Sequence, residues 1–255
     1  MKLWASSALL RISERMAYRG EYLISLITMF VTELVAPLFT FVIYYHTMGF
    51  EGWSFFEVIL LQGCILTVKG FSFFAFAGII WNSNLKLQKG EFDIVLLKPR
   101  NPLYMFICES FDAEDPAKFI GGLLIIGVAL VNLDMGFDGA LLMILLLMMG
   151  VLVYFSLALF ASAFIFTFIR TFRVYELLDI LELIAEYPSK IYPKAVKVIF
   201  TAALPLFIIS TFPVKALMGE LSLQMLIAAI STICVVAIAL YTWFFTIRRY
   251  SSAGG

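Results

Sequence analysis

Charge is the scarcest resource in this sequence: Asp, Glu, Lys and Arg make up 14% of its 255 residues, against about a quarter in ordinary soluble domains. The acidic and basic totals are equal at 18 each, so no global field draws the chain toward nucleic acid or an acidic partner. Histidine occurs once, at His46, which removes a His-rich metal set and most base-assisted nucleophiles. The chain has no G-x-S-x-G elbow and no G-x-x-x-x-G-K-[ST] phosphate loop, hence no recognisable means of binding ATP by itself. Cys64, Cys108 and Cys234 are far apart and follow no ligand spacing, so they are read as packing residues outside any disulfide framework. The expectation is a chain with no catalytic residue, no metal and no cofactor of its own.

What is present is apolar surface. Apolar residues are 62% of the chain and mean hydropathy is +0.99, a composition that only a bilayer satisfies. A crossing helix must cover about 30 Å of hydrocarbon at about 1.5 Å per residue, which calls for about 20 residues with few charges. Tyr22 to Tyr45, Phe56 to Ile80, Ala117 to Leu133, Ala140 to Phe168 and Leu223 to Ile247 meet that requirement. The apolar stretch after Lys2 is cut short by Arg11, Glu14, Arg15 and Arg19, so it reads as a retained segment and not a signal peptide. Arg11, Arg15 and Arg19 stack on one helical face and Leu3, Leu9, Leu10, Ile12 and Met16 on the other, the pattern of a helix lying in the membrane interface.

The segment between Val174 and Gly219 admits two readings. Its first part, Tyr175 to Glu186, carries Glu176, Asp179, Glu182 and Glu186; its second, Ala195 to Phe212, is apolar but interrupted by Pro205. Either the second part crosses alone, which hydropathy favours, or the first crosses as a polar helix and the second dips in and returns as a re-entrant hairpin. Both give six crossings and put the two ends on one side. Lys2, Arg11, Arg15, Arg19, Lys86, Lys89, Lys98, Arg100, Arg170, Arg173, Arg248 and Arg249 share that side, which the positive-inside rule makes cytoplasmic. The outer loops near Phe50 and Gly136 are too short for a soluble domain, so residues 1–255 form a single membrane domain.

Glu33 and Lys69 are the charges deepest in clear spans, at matching depths, so they can pair; such a pair either locks the hairpin or lines a path. Pro37, one turn beyond Glu33, is expected to kink the first span. In the long connection 82–101, Glu91 and Asp93 precede the apolar run Ile94 to Leu97, and Pro99 and Pro102 stop it: a short amphipathic helix along the membrane surface. Asp112, Glu114 and Asp115 before Pro116 are read as helix-start chemistry.

Two segments resemble the permease subunits of bacterial type II ABC exporters. Gly90-Glu-Phe-Asp-Ile-Val-Leu-Leu-Lys-Pro-Arg-Asn-Pro-Leu103 is similar to that group's G-E-x-D-x-x-L-x-K/R-P-x-x-P-L stretch. Tyr187-Pro188-Ser-Lys-Ile-Tyr192-Pro193, then Leu204-Pro205, Phe212-Pro213 and Leu217-Met-Gly219, is similar to its Y-P-x-x-I-Y-P, L-P and P-x-x-x-L-x-G series. The resemblance implies six spans with an N-terminal interfacial helix, a coupling helix carried by Lys89, Gly90, Glu91, Phe92, Asp93, Leu96, Leu97, Lys98 and Pro99, and an outer re-entrant segment over 188–220 holding Tyr187, Pro188, Tyr192, Pro193, Pro205 and Pro213. It implies ATP and Mg on cytosolic ATPase subunits, a second permease, identical or homologous, and export of a small amphipathic or drug-like molecule from a bacterial inner membrane. Lipid and the substrate are the remaining partners, with no nucleic acid. Glu33, Lys69, Asp179, Glu182 and Glu186 are then candidates for the translocation path. A proton-coupled secondary transporter or channel using the same residues is the competing expectation.

Overall fold

The computed structural model describes Leu9, Ser13 and residues 16–76, 78–110, 115–133, 139–168 and 172–250. Most of the expected N-terminal interfacial helix, Asp112, Glu114 and the loop at Gly136 lie outside the described residues. All regular structure within them is helical. Helices α1 (Arg19–Glu33) and α2 (Val35–His46) form the first long rod, followed by α3 (Phe55–Phe76), α4 (Gly78–Gln88), the short α5 (Phe92–Leu97) and α6 (Pro102–Cys108). Then come α7 (Asp115–Asn132), α8 (Ala140–Phe168) and α9 (Phe172–Ala185), a run of short turns, α10 (Lys194–Val198) and α11 (Thr211–Leu217), and the closing α12 (Leu223–Arg248). Four stretches, Arg19–His46, Phe55–Phe76, Ala140–Phe168 and Leu223–Arg248, are long and apolar enough to cross a membrane. The apolar helix over Pro116–Asn132 is shorter, and α9 has 14 residues.

The first rod breaks at Leu34, three residues before Pro37. Pro37 has no N–H to return to the Glu33 carbonyl and its ring crowds that oxygen, so the ladder lapses one turn upstream. The Leu34 N–H still reaches Phe30 O at 3.2 Å, which makes the break a bend within a continuing helix.

Helix α3 is the most enclosed of the four long apolar stretches, with Val58, Leu60, Leu61, Cys64 and Val68 buried. It meets α7 across glycines. A Cβ added at Gly70 would come within 2.3 Å of Phe119 N, and one at Gly122 within 2.4 Å of Thr67 N, so the two backbones nearly touch. Close approach through small residues is how helices associate in lipid, where no hydrophobic drive between them exists. We expect Gly122→Val to cost about 1–3 kcal/mol by forcing α3 and α7 apart. Gly127→Val, with nothing within 4 Å of its Cβ, is expected to be neutral; unfolding in SDS-titrated mixed micelles compares the two.

A second core gathers where α4, α5, α6, α8 and α12 converge. Phe92, Phe106, Ile165 and Trp243 are fully enclosed there. The Trp243 Nε1–H donates to Ser162 Oγ at 2.9 Å, and Ser162 and Ser83 share a hydrogen bond at 2.6 Å, so three helices are tied by one buried polar chain.

The two halves of the ambiguous segment separate clearly. Residues 172–185 form one helix, whereas 195–212 do not: Lys194–Val198 continues as a π-helical turn through Ala203, the chain turns at Leu204–Pro205 and again at Ser210, and the longest helical piece between Ser189 and Leu217 is the ten residues 194–203. Hydropathy counts apolar residues and is blind to the missing N–H of Pro205, which is why it favours a segment whose backbone is not one continuous helix. Side chains pin these turns to their neighbours: Tyr192 OH donates to Ile184 O at 3.0 Å, Ser231 Oγ to Ala202 O at 2.7 Å, and the Ser189 N–H to Thr211 Oγ1 at 3.1 Å.

Candidate functional site

Two places carry the charged and exposed residues singled out by sequence. The first is a cluster around Lys69 on α3. Its Nζ lies 2.7 Å from Glu182 Oε2 on α9 and 3.9 Å from Glu33 Oε1 at the end of α1. The expected Glu33–Lys69 pair is therefore present, but Glu182 is the closer partner, and the Lys69 and Glu182 side chains are only 20% and 13% exposed. Tyr154 on α8 lines a neighbouring cavity together with Glu182. Glu186, one turn further along, lines the same small cavity of about 30 Å³ as Glu33, Gln62, Lys69 and Glu182.

Gln62 closes this cavity from α3. Its Nε2 donates to Thr40 Oγ1 at 2.7 Å and to Ala36 O at 3.3 Å, while its Oε1 is buried without a partner. Asp179 stands apart from the cluster. It lines a separate cavity of about 240 Å³ with Phe73, Phe76, Trp81, Tyr154 and Glu182. Gln62 carries a readable signal, an amide inside an apolar span, that the search for ionisable groups passes over. Tyr154 carries none, because one aromatic among apolar neighbours looks like packing.

The second place is α5. Gly90 precedes it with φ +68°, the left-handed conformation that terminates α4, and the Glu91 N–H reaches back to Lys86 O at 2.8 Å. Phe92 and Val95 point inward: Phe92 packs on Phe166 at 4.5 Å, Tyr250 at 4.9 Å and Phe106 at 6.0 Å between ring centroids. Ile94, Leu96 and Leu97 point outward, Leu97 with 84% of its surface exposed. Lys89, Glu91, Lys98 and Pro99 rim them, also exposed. Asp93 hydrogen-bonds the Tyr250 hydroxyl, and burial together with that carboxylate holds the phenol above its ordinary value. These contacts place α5 beside the end of α12.

The Pro-rich turns hold Pro188, Pro205 and Pro213 buried and Pro193 exposed. Tyr187 stacks edge-on against Phe50 at 5.9 Å and Tyr192 lies 5.9 Å from Phe207.

A family model described as ABC-2 family transporter protein matches residues 28–254. The chain belongs to this family. No curated protein and no solved structure matches it. Membership makes this ABC-2 chain a membrane-embedded transporter domain and not an enzyme, and among the described residues no group of three or more His, Cys, Asp or Glu is placed to hold a metal ion.

Proposed function

We propose that the chain is the permease subunit of an ABC exporter that moves a small amphipathic molecule by alternating access. In this reading α7 and α9 join the four long stretches to give six crossings, with 188–220 as an outer re-entrant segment. Both ends face the cytoplasm of a bacterial inner membrane. ATP and Mg bind cytosolic ATPase subunits, and a second permease, identical or homologous, completes the path.

The observation that carries the proposal is the outer corner of α5. Ile94, Leu96 and Leu97 form an apolar knob ringed by charge, while Phe92 and Val95 fix it to the rigid core below. A knob seated this way transmits a push from a docked ATPase into α4, α8 and α12 without bending. The cluster of Lys69, Glu33, Glu182 and Glu186, with Asp179 in the neighbouring cavity, supplies the polar stretch of the path.

Purification in mild detergent from its native membrane is expected to bring down a polypeptide with a phosphate-binding loop. Transport of substrate by the purified chain alone, driven by a proton gradient without ATP, would assign it instead to the secondary transporters.

A further inference from the structure

Aromatic side chains from three helices meet in the cavity of about 240 Å³ beside α9. Phe73 and Phe76 come from α3, Trp81 from α4 and Tyr154 from α8. Each ring carries a negative face, so rings gathered around one space make it attractive to a cation. Phe73 already shows this: the Lys118 ammonium, which does not line the cavity, lies 4.9 Å from the centre of its ring. Phe76 is held by an edge-on contact with Phe155 at 5.3 Å, and Trp81 keeps 56% of its surface exposed, so the cavity has an accessible edge.

The remaining wall is α9, which brings Asp179 and Glu182. Among the described residues no Lys, Arg or His lines this space, so an anionic ligand would find no counter-charge. Lys69 matches Glu182 at 2.7 Å, whereas Asp179 is exposed and enters no ion pair among the described residues. An uncharged aromatic body seated on these rings would take water from Asp179 and give nothing back, and a carboxylate stripped of water without a partner is costly. A ligand whose positive charge is spread over a flat ring avoids that cost, because the same atoms meet the aromatic walls and the carboxylate.

Size narrows the class further. At about 240 Å³ the cavity lies below the roughly 300 Å³ at which pockets for drug-sized ligands begin, which limits the enclosed part to one or two rings.

We propose that this cavity binds a flat aromatic cation, its rings held by Phe73, Phe76, Trp81 and Tyr154 and its charge met by Asp179. The proposal rests on the permease reading and narrows its substrate class.

The test uses the full chain in lipid nanodiscs with radiolabelled N-methyl-para-phenylpyridinium, a two-ring cation, and empty nanodiscs as the blank. Saturable binding is expected. Tetramethylammonium, which has the charge without the rings, and para-methylbiphenyl, which has the shape without the charge, are each expected to compete about tenfold less well than the unlabelled cation. Asp179→Asn and Trp81→Leu, both at exposed positions that carry little folding energy, are each expected to weaken binding about tenfold. Glu176→Gln removes an exposed carboxylate of α9 that does not line the cavity, and is expected to leave binding unchanged.

No saturable binding to monodisperse protein, or affinity indifferent to either Asp179→Asn or Trp81→Leu, would overturn the proposal. So would a loss in Glu176→Gln equal to that in Asp179→Asn, which assigns the effect to the charge of the helix as a whole, or competition by either partial analogue as strong as by the cation itself. No ATPase enters the assay, so a negative result leaves the permease reading intact, and failure to capture an ATPase leaves the aromatic site intact.

Discussion

Lys69→Met is expected to destabilise the chain by about 3 kcal/mol, the lower part of the range for removing one partner of a buried ion pair. Lys69 is the cation facing Glu182 and Glu33 across 2.7 and 3.9 Å, and its loss leaves their carboxylates among α1, α3 and α9 without that partner. Methionine keeps the length and apolar stem of lysine, so the packing change is small and the effect is electrostatic. Adding Glu182→Gln to Lys69→Met removes both charges of the close pair and is expected to recover most of the loss, since replacing a buried pair outright is close to neutral. Unfolding in SDS-titrated mixed micelles separates the two variants. A single variant no less stable than the double would mean that Glu182 is already neutral without Lys69.

The cluster shows what this kind of sequence makes legible. Matching depth in two antiparallel spans was enough to pair Glu33 with Lys69, because helical rise converts residue number directly into height. Glu182 was visible as one of four acids on a polar helix, but nothing in the sequence fixes how α9 rotates against α3. That rotation brings Glu182 to 2.7 Å and sends Asp179 to another cavity. Four of the expected spans read well: Ala140–Phe168, for example, is an apolar run without a charge, and within lipid a helix satisfies its backbone internally. In the Pro-rich segment hydropathy favours Ala195 to Phe212 as a span while the family resemblance favours Tyr175 to Glu186, and the backbone over 195–212 is not one continuous helix, since Pro205 removes an N–H that such a helix needs. Contacts between aromatic rings, such as Phe92 on Phe166, join residues far apart in the chain and leave no periodic trace.

Exposure divides α5 in a way that the motif alone conceals. Glu91, Phe92, Asp93 and Leu97 all belong to the resembling stretch, yet Phe92 is enclosed and Asp93 is engaged with Tyr250, so both fasten the helix, while Leu97 and Ile94 are exposed. If α5 docks an ATPase as proposed, substitutions at Phe92 or Asp93 mix loss of anchoring with loss of docking.

Leu97→Asp isolates docking. Leu97 is the most exposed apolar side chain of α5, so placing a charge there leaves the core below untouched and costs the isolated chain less than about 0.5 kcal/mol. In a complex, the same carboxylate meets whatever apolar groove receives the knob, and an unpaired charge in a closed interface costs several kcal/mol. The expected result is at least a hundredfold loss of ATPase affinity, about 2.7 kcal/mol, with unchanged unfolding of the permease. Glu91→Lys, exposed on the rim, is expected to weaken association about tenfold and to change its salt dependence, because a rim charge acts through water. Full ATPase binding by Leu97→Asp would move the interface away from α5 and remove the mechanical link from nucleotide hydrolysis to the core around Phe92 and Trp243.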